Sequence, residues 1–529
     1  MQLSTRYQQE DDPNRRDSGT SPKDRSSDES SKAAFPEPDN DFESAERPWT
    51  LLSETKVKSL LVVASLAAIT SPLSTSTYYP SIVAIAQDLG VSVAKANLTI
   101  SSYQILQGLS PTVTAAFADS YGRRPALLVC LTIWSIANLG LALQTDFTAL
   151  LLLRCLQSAG SSGTFALAQA VTADLATRAE RGKYMAYAMA ISAMGPVVGP
   201  ILGGLLTQYR GWRSVFWCLA VFGIVLNATI FVFFRETARS VVGDGSVPPQ
   251  RWNLSLLQMR NGGQDSTFPR PNLDTVERRQ KRPSPFTSLM LLLDKENLFI
   301  SATGGLLYAG YASVTSVLAS QLQQRYHYTA VQVGLCYLPV GFGSLLAYRT
   351  TVLLIDWNFR REAEKQGLRI TKGRQPDVSG FDLEKARLEF AFPFVIVSAG
   401  LLAAYGWQMQ YHMPLPAILI TMFIVALLLT AVMVANAALL TDLNREDAAA
   451  IGAAMNLIRL LLSAGAVAVI GPLNKAVGIG WTATVTAVLW VLSLLLLGIV
   501  YRDGYSWRAD VASDDRGSST ELAGLVRGS

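Results

Sequence analysis

The hydrophobic positions of this 529-residue chain gather into long runs separated by short polar breaks. The runs lie at about 57–79, 96–117, 125–145, 148–174, 184–207 and 213–234, and then at about 297–322, 330–355, 390–409, 415–441, 448–474 and 480–501. A bilayer core is about 30 Å thick and takes about 20 apolar residues to cross as a helix. In hydrocarbon every backbone N–H and C=O must be paired within the segment, so runs of this length are helices. The pattern predicts an all-α membrane protein with twelve transmembrane helices. The run at 330–355 is interrupted by Pro339, Gly341 and Gly343.

The polar stretches divide the chain. Residues 1–56 form a tail rich in Asp, Ser, Pro, Lys and Arg that reads as disordered, and no cleavable signal opens the chain. A six-helix bundle is expected at 57–234, a connector at 235–296, a second six-helix bundle at 297–501 with a polar loop at 356–389, and a tail at 502–529. Ala173-Asp174-Leu175 ends the fourth run, and Thr441-Asp442-Leu443 ends the tenth. Asp119 closes the second run, and Asp356 closes the eighth. These echoes suggest internal duplication, and transporters built of two related halves hold substrate near the midplane between them.

Only 16% of residues are charged, against roughly a quarter in soluble proteins. The mean hydropathy is +0.26. The net charge of +5 comes from connector residues, not from a basic patch, so it does not indicate nucleic acid. Arg123, Arg124, Arg178, Arg181, Lys183, Arg360, Arg361, Lys365, Arg387 and Arg445 share one side of the membrane, whereas the other side holds little beyond Lys95, Arg210, Arg213, Arg325 and Lys475. The richer side is cytoplasmic by the positive-inside rule, which puts both termini there. Cys130, Cys155, Cys218 and Cys336 all lie in apolar runs and read as small buried hydrophobes. His327 and His412 are too far apart to suggest a metal site, and no cofactor is implied. No nucleotide-binding Gly-x-x-x-x-Gly-Lys-Ser/Thr loop, His-Glu-x-x-His or Gly-x-Ser-x-Gly is present, so neither ATP-driven export nor an enzyme is expected. Asn97-Leu98-Thr99 fits a glycosylation triplet but sits close to the second helix.

Several residues are costly where they stand. Arg154 lies inside an apolar run with Gln157 three residues on, hence on the same face. An intramembrane arginine usually faces the protein interior or a water-filled cavity, the alternative being one that snorkels to the interface. Arg459 repeats the pattern in the eleventh run, with Asn456 three residues before it. Asn436 in the tenth run and Tyr308 in the seventh add polar groups. Between the second and third runs stand Asp119, Gly122, Arg123 and Arg124. Gly122 permits a tight turn, and Asp119 is placed to face a helix N-terminus. The fifth run carries Gly195-Pro196-Val197-Val198-Gly199-Pro200-Ile201-Leu202-Gly203-Gly204. Gly195, Gly199 and Gly203 share a face for close helix packing, and the two prolines invite a kink.

These features resemble the major facilitator superfamily. Asp119 with Gly122-Arg123-Arg124 resembles its loop after the second helix, which latches the cytoplasmic gate, although Ala115 replaces the usual leading glycine. Arg154 to Gly160 resembles its Arg-x-x-Gln-Gly motif, associated with proton coupling. The glycine–proline run resembles its antiporter motif, found in exporters. Ser71-Pro72-Leu73-Ser74, Gln107 to Pro111, Glu180-Arg181-Gly182 and Arg235 to Arg239 narrow the likeness to the fungal twelve-helix drug:proton antiporters. Leu335 to Gly343, Lys385-Ala386-Arg387 and Asn456 to Arg459 point to the group of quinidine-resistance transporters and citrate exporters. The likeness covers about 57–505.

The resemblance implies a monomeric exporter of drugs, secondary metabolites or organic acids in the plasma membrane, working by alternating access. Arg154, Gln157, Tyr308, Asn436, Asn456 and Arg459 are expected at the substrate site. Asp119, Gly122, Arg123, Arg124 and Asp174 are expected in gating or coupling, and Gly195, Pro196, Gly199, Pro200, Gly203 and Gly204 on the interface where the halves rock. The two arginines favour anionic substrates. No carboxylate lies deep in any run, so the proton as coupling partner is an implication of the resemblance only. A sensor with a transporter fold and a facilitated organic-acid exporter are the alternatives.

Overall fold

The computed structural model describes residue 50 and residues 52–176, 181–243, 247–260, 290–366, 381–444 and 447–527. Most of the N-terminal tail, Arg178, Glu180 and Arg445 lie outside them. Twelve long helical segments follow one another among the described residues. They are α1 (Glu54–Asp88), α2 (Val93–Tyr121), α3 (Arg123–Leu143), α4 (Phe147–Leu175), α5 (Arg181–Ala193, continuing as Gly195–Arg210), α6 (Arg213–Phe233), α7 (Lys295–Tyr326), α8 (Ala330–Lys365), α9 (Leu383–Gln410), α10 (Leu415–Leu443), α11 (Ala448–Val477) and α12 (Ile479–Arg527). Successive helices run in alternating directions. The connectors after α2, α6 and α8 therefore share one end of the structure, called here the basic end.

Nine of these segments are apolar and long enough to cross a membrane by composition alone. The three that fall short are α2, α4 and α7, which carry Gln104 and Gln107, Arg154 and Gln157, and Tyr308 and Gln321. A helix surrounded by other helices need not be apolar all round. Gln104, Arg154, Gln157 and Gln321 are buried. One apolar core joins α7 to α12 and a second joins helices of α1–α6. A third, away from the basic end, mixes Ile82, Ile100 and Phe216 with Ala312 of α7 and Val467 of α11.

Proline decides where helices break. In α8 the break falls at Tyr337, ahead of Pro339, which cannot donate to the preceding turn. Gly341 and Gly343 lie within the continuing helix instead of interrupting it. Pro196 stands in the first turn of the second part of α5, just after the break at Met194. Pro72 and Pro80 divide α1, which closes in a 3-10 turn at Tyr79–Ser81 before resuming. Two helices outrun their hydrophobic stretches. α8 continues to Lys365 through a polar, helix-favouring segment in which Asn358 is buried and donates to Ala386 O at 2.8 Å. α12 continues into the predicted tail as far as Arg527. Hydrophobicity marks the membrane crossing, whereas backbone hydrogen bonding carries the helix on. Cys218 is exposed on α6, so it faces outward and is not the buried residue expected. Asn97 is buried inside α2, which excludes it as a glycan acceptor in this conformation.

Candidate functional site

Arg154 sits in a closed polar box among α1, α2, α3 and α4. Its Nη1 donates to Gln157 Oε1 at 2.6 Å and to Ser74 O at 3.4 Å. Gln157 Nε2 donates to Asn138 Oδ1 at 2.7 Å, and Asn138 Nδ2 donates to Trp134 O at 2.7 Å. The Trp134 indole returns to α1 by donating to Ser74 Oγ at 3.0 Å. The guanidinium lies over the rings of Tyr78, at 4.1 Å, and Tyr103, at 4.4 Å. Tyr78 is hydrogen bonded to Thr99, and Tyr103 to Ser161. Arg154 is 0% exposed, and its Nε and Nη2 have no hydrogen-bond partner among the described residues. Cation–π contacts and neutral amides thus hold a charge that has no carboxylate partner among the described residues.

Arg459 is placed differently. Its Nη2 donates to Asn456 Oδ1 at 2.6 Å, and one ring, Tyr308, lies 4.7 Å from its guanidinium. The residue is only half-buried. Its Nε has no hydrogen-bond partner among the described residues, and no acid is ion-paired with it there. Gly305 of α7 packs closely on the α11 face that carries Arg459, where a Cβ would stand 2.7 Å from Leu462 Cδ1 and 3.1 Å from Ile458 Cγ2. One position earlier, a Cβ at Gly304 would stand 3.6 Å from the Asn436 amide nitrogen, an ordinary contact. Both polar atoms of the Asn436 amide are buried without a partner among the described residues. Tyr348, 44% exposed, lies within electrostatic reach of Arg459 and Tyr308. Tyr308, Asn436, Asn456 and Arg459 therefore gather around α7, whereas Arg154 and Gln157 form a separate cluster. Tyr79 lies between the clusters, within electrostatic reach of both Arg154 and Tyr308.

The two sets of helices meet most closely away from the basic end. Tyr79 of α1 stacks on Tyr337 of α8 with centroids 5.7 Å apart. Gln323 donates to Pro80 O at 3.4 Å, Val331 N donates to Gln208 Oε1 at 3.1 Å, and Ser463 donates to Gln104 Oε1 at 3.1 Å. The glycine run of α5 serves two neighbours. Gly195, Gly199 and Gly203 lie against α1, where a Cβ at Gly203 would strike Thr77 O. Gly204 and the Pro200 carbonyl instead meet Ala330 and Gly334 of α8. The face predicted from glycine spacing thus packs on α1, and the contact with α8 falls on the adjoining face.

At the basic end, Arg123 joins α2, α3 and α4. It donates to Asp119 Oδ1 at 2.6 Å and to Asp174 Oδ2 at 3.0 Å. Asp119 is thus a partner of Arg123, and a different acid, Glu236, meets the α3 N-terminus. Glu236 accepts from the backbone N–H groups of Arg123 at 2.7 Å, Arg124 at 3.1 Å, and Thr237 and Ala238 at 3.0 Å each. Gly122 has φ 110°, and any side chain there would meet the Glu236 carboxylate. Arg124 is buried and donates to Phe231 O at 3.0 Å and Trp252 O at 3.3 Å. A related pair stands among the later helices, where Arg387 donates to Asp442 at 3.0 Å.

The profile described as Major Facilitator Superfamily matches residues 64–459. The chain belongs to the major facilitator superfamily. It is 65% identical over 521 residues to MFS-type transporter M6 of Phoma sp. (strain ATCC 20986 / MF5453), covering 98% of this chain and 95% of that one. It is 30% identical over 494 residues to Citrate exporter 1 of Aspergillus niger, covering 92% and 93% respectively. Among solved structures, a bacterial homolog to the human lysosomal transporter Spinster, in an inward-facing and unoccupied conformation, aligns with TM-score 0.57 at 15% identity, over 85% of this chain and 98% of that one. These matches establish a multi-pass membrane transporter of the major facilitator fold, and a non-enzyme.

Sequence reasoning missed Tyr78 and Asn138, and it gave no site role to Tyr103 of the second run or to Glu236, which it met only within the Arg235 to Arg239 motif. Glu236 follows the sixth hydrophobic run with only its position after Arg235 to mark it. The rings that sandwich Arg154 come from two other helices, so no local spacing reveals them.

Proposed function

We propose that this protein exports small organic anions through a cavity between α1–α6 and α7–α12, by alternating access. Arg459 carries the reading. A half-buried guanidinium with no acidic partner retains attraction for an anion, and a carboxylate can accept two parallel N–H bonds from it. Tyr308 and Tyr348 offer aromatic surface beside that charge, and Asn436 offers an amide. Arg154 and Gln157 hold the first group of helices in shape around the cavity. The basic end is cytoplasmic by the positive-inside rule, so the contacts among Tyr79, Tyr337, Gln323 and Gln208 close the outer side and the cavity faces inward. The bodies that rock are 57–234 and 297–501, with the α5–α8 contact as a hinge surface and the Asp119, Arg123 and Asp174 cluster steadying the inner gate. The likeness to a citrate exporter supports organic acids as cargo, and the superfamily supports a proton as coupling ion and a plasma-membrane location.

Efflux from yeast cells expressing the protein tests this. Cells are preloaded with labelled citrate or with a lipophilic cationic drug, with and without an uncoupler. Faster citrate efflux, lost in Arg459→Ala, is expected. Faster efflux of the drug alone overturns the anion reading, and citrate efflux unaffected by uncoupler removes the proton.

A further inference from the structure

Residues 250–260 follow α6 and are held from beneath. A short 3-10 turn at Arg251–Asn253 leads into a helical turn at Leu256–Arg260. Asn253 is buried and donates to Tyr121 O at 3.0 Å, while Arg124 holds the Trp252 carbonyl. Ser255 N donates to Gln258 Oε1 at 3.0 Å, and Gln258 N returns a bond to Ser255 Oγ at 3.3 Å. The backbone is thus well tied, yet its large side chains stay about half exposed, Trp252 with one ring contact to Tyr121 at 5.8 Å. Trp252 is 49% exposed, Leu256 46% and Met259 48%. Arg251 and Arg260 are exposed beside them, and residues 247–260 contain no acid.

We propose that this segment is a foot that docks on the bilayer surface at the basic end and binds anionic phospholipid headgroups. The occupant follows from continuity and charge. The foot lies at the end of α6, whose Phe231 and Phe233 are 49% and 62% exposed on the membrane-facing surface, and Arg124 ties Phe231 O to Trp252 O. The apolar patch therefore extends the lipid-facing surface to headgroup depth. Tryptophan favours that depth because one edge is apolar and the indole N–H is polar. Short amphipathic segments lie in this plane, and their arginines reach toward lipid phosphates. Two arginines with no acid among residues 247–260 favour an anionic leaflet. The foot also holds both sides of Gly122, through Tyr121 and Arg124, so headgroup binding bears on the α2–α3 connector.

The test uses the full chain reconstituted in phosphatidylcholine vesicles, with or without phosphatidylserine, containing lipid brominated near the headgroup. The Trp252 signal is the fluorescence difference between the native protein and Trp252→Phe. Quenching of that signal by brominated lipid, protection from aqueous acrylamide, and an at least threefold weaker lipid quenching in R251Q/R260Q with phosphatidylserine present are expected. A difference signal quenched by acrylamide and untouched by brominated lipid overturns the docking. Equal lipid quenching in neutral and anionic vesicles, indifferent to R251Q/R260Q, overturns the preference for anionic headgroups. A spin label at Met259→Cys in a background with Cys155→Ser and Cys218→Ser, read for oxygen against aqueous nickel accessibility, decides the same question should Trp252→Phe fail to fold.

Discussion

Arg154 and Arg459 look alike in one dimension and differ in three. Each is a lone arginine in an apolar helix with an amide three residues away, and each donates to that amide at 2.6 Å. Arg154 also has two aromatic faces, a backbone carbonyl and a relayed chain of side-chain amides, and no exposure at all. Arg459 has one ring and an open side. Unmet hydrogen bonding does not separate them, since Arg154 Nε and Nη2 and Arg459 Nε all lack partners among the described residues; what separates them is that only Arg459 is reachable from outside its own cluster. On the proposed function, the enclosed arginine holds α1–α4 together and the open one is available to cargo.

Removing the enclosed arginine should have the largest effect. Arg154→Ala loses two desolvated cation–π contacts and strands Gln157, a cost of about 3 kcal/mol, read as a fall in the thermal unfolding midpoint of the purified protein. Unchanged unfolding would put the two arginines in one class and break the comparison. Gln157→Leu should cost about 2 kcal/mol by leaving Arg154 and Asn138 without their shared partner, whereas Asn456→Leu on the open side should cost less than about 1 kcal/mol. Arg459→Ala is expected to leave the unfolding midpoint nearly in place and slow anion efflux about tenfold, the ratio that about 1.4 kcal/mol of lost binding or transition-state stabilisation produces. An Arg459→Ala protein that unfolds early but transports at the native rate per folded molecule would reverse the assignment. The smallest effect is expected from Tyr308→Leu, which removes the ring beneath Arg459 and should weaken anion affinity by about 0.5–1 kcal/mol, or roughly two- to fivefold, in a substrate-concentration series.

Much of this was legible along the chain. The helical segments follow from hydrophobic runs of membrane-spanning length, and the breaks in α1, α5 and α8 lie at or near proline. The importance of the glycines in α5 follows from their four-residue spacing, although the neighbour each one meets does not. Asp174 was legible as a conspicuous acid ending a helix, but its partner Arg123 lies 51 positions away. The capping role of Glu236 was invisible because it needs a residue 113 positions from Arg123 to turn back across the basic end. The foot at 250–260 was equally hidden, since its exposed Trp252 and Leu256 acquire meaning only beside α6.

The sequence by itself determined that the chain crosses a membrane many times as helix, because backbone pairing in hydrocarbon leaves a long apolar run no other state. It also determined which polar residues are too costly to be incidental, because a charge in an apolar run needs company. Which company it has was decided by the tertiary structure. Tyr78 and Tyr103 come from helices remote from Arg154 in sequence, and only their packing closes one arginine off and leaves the other open.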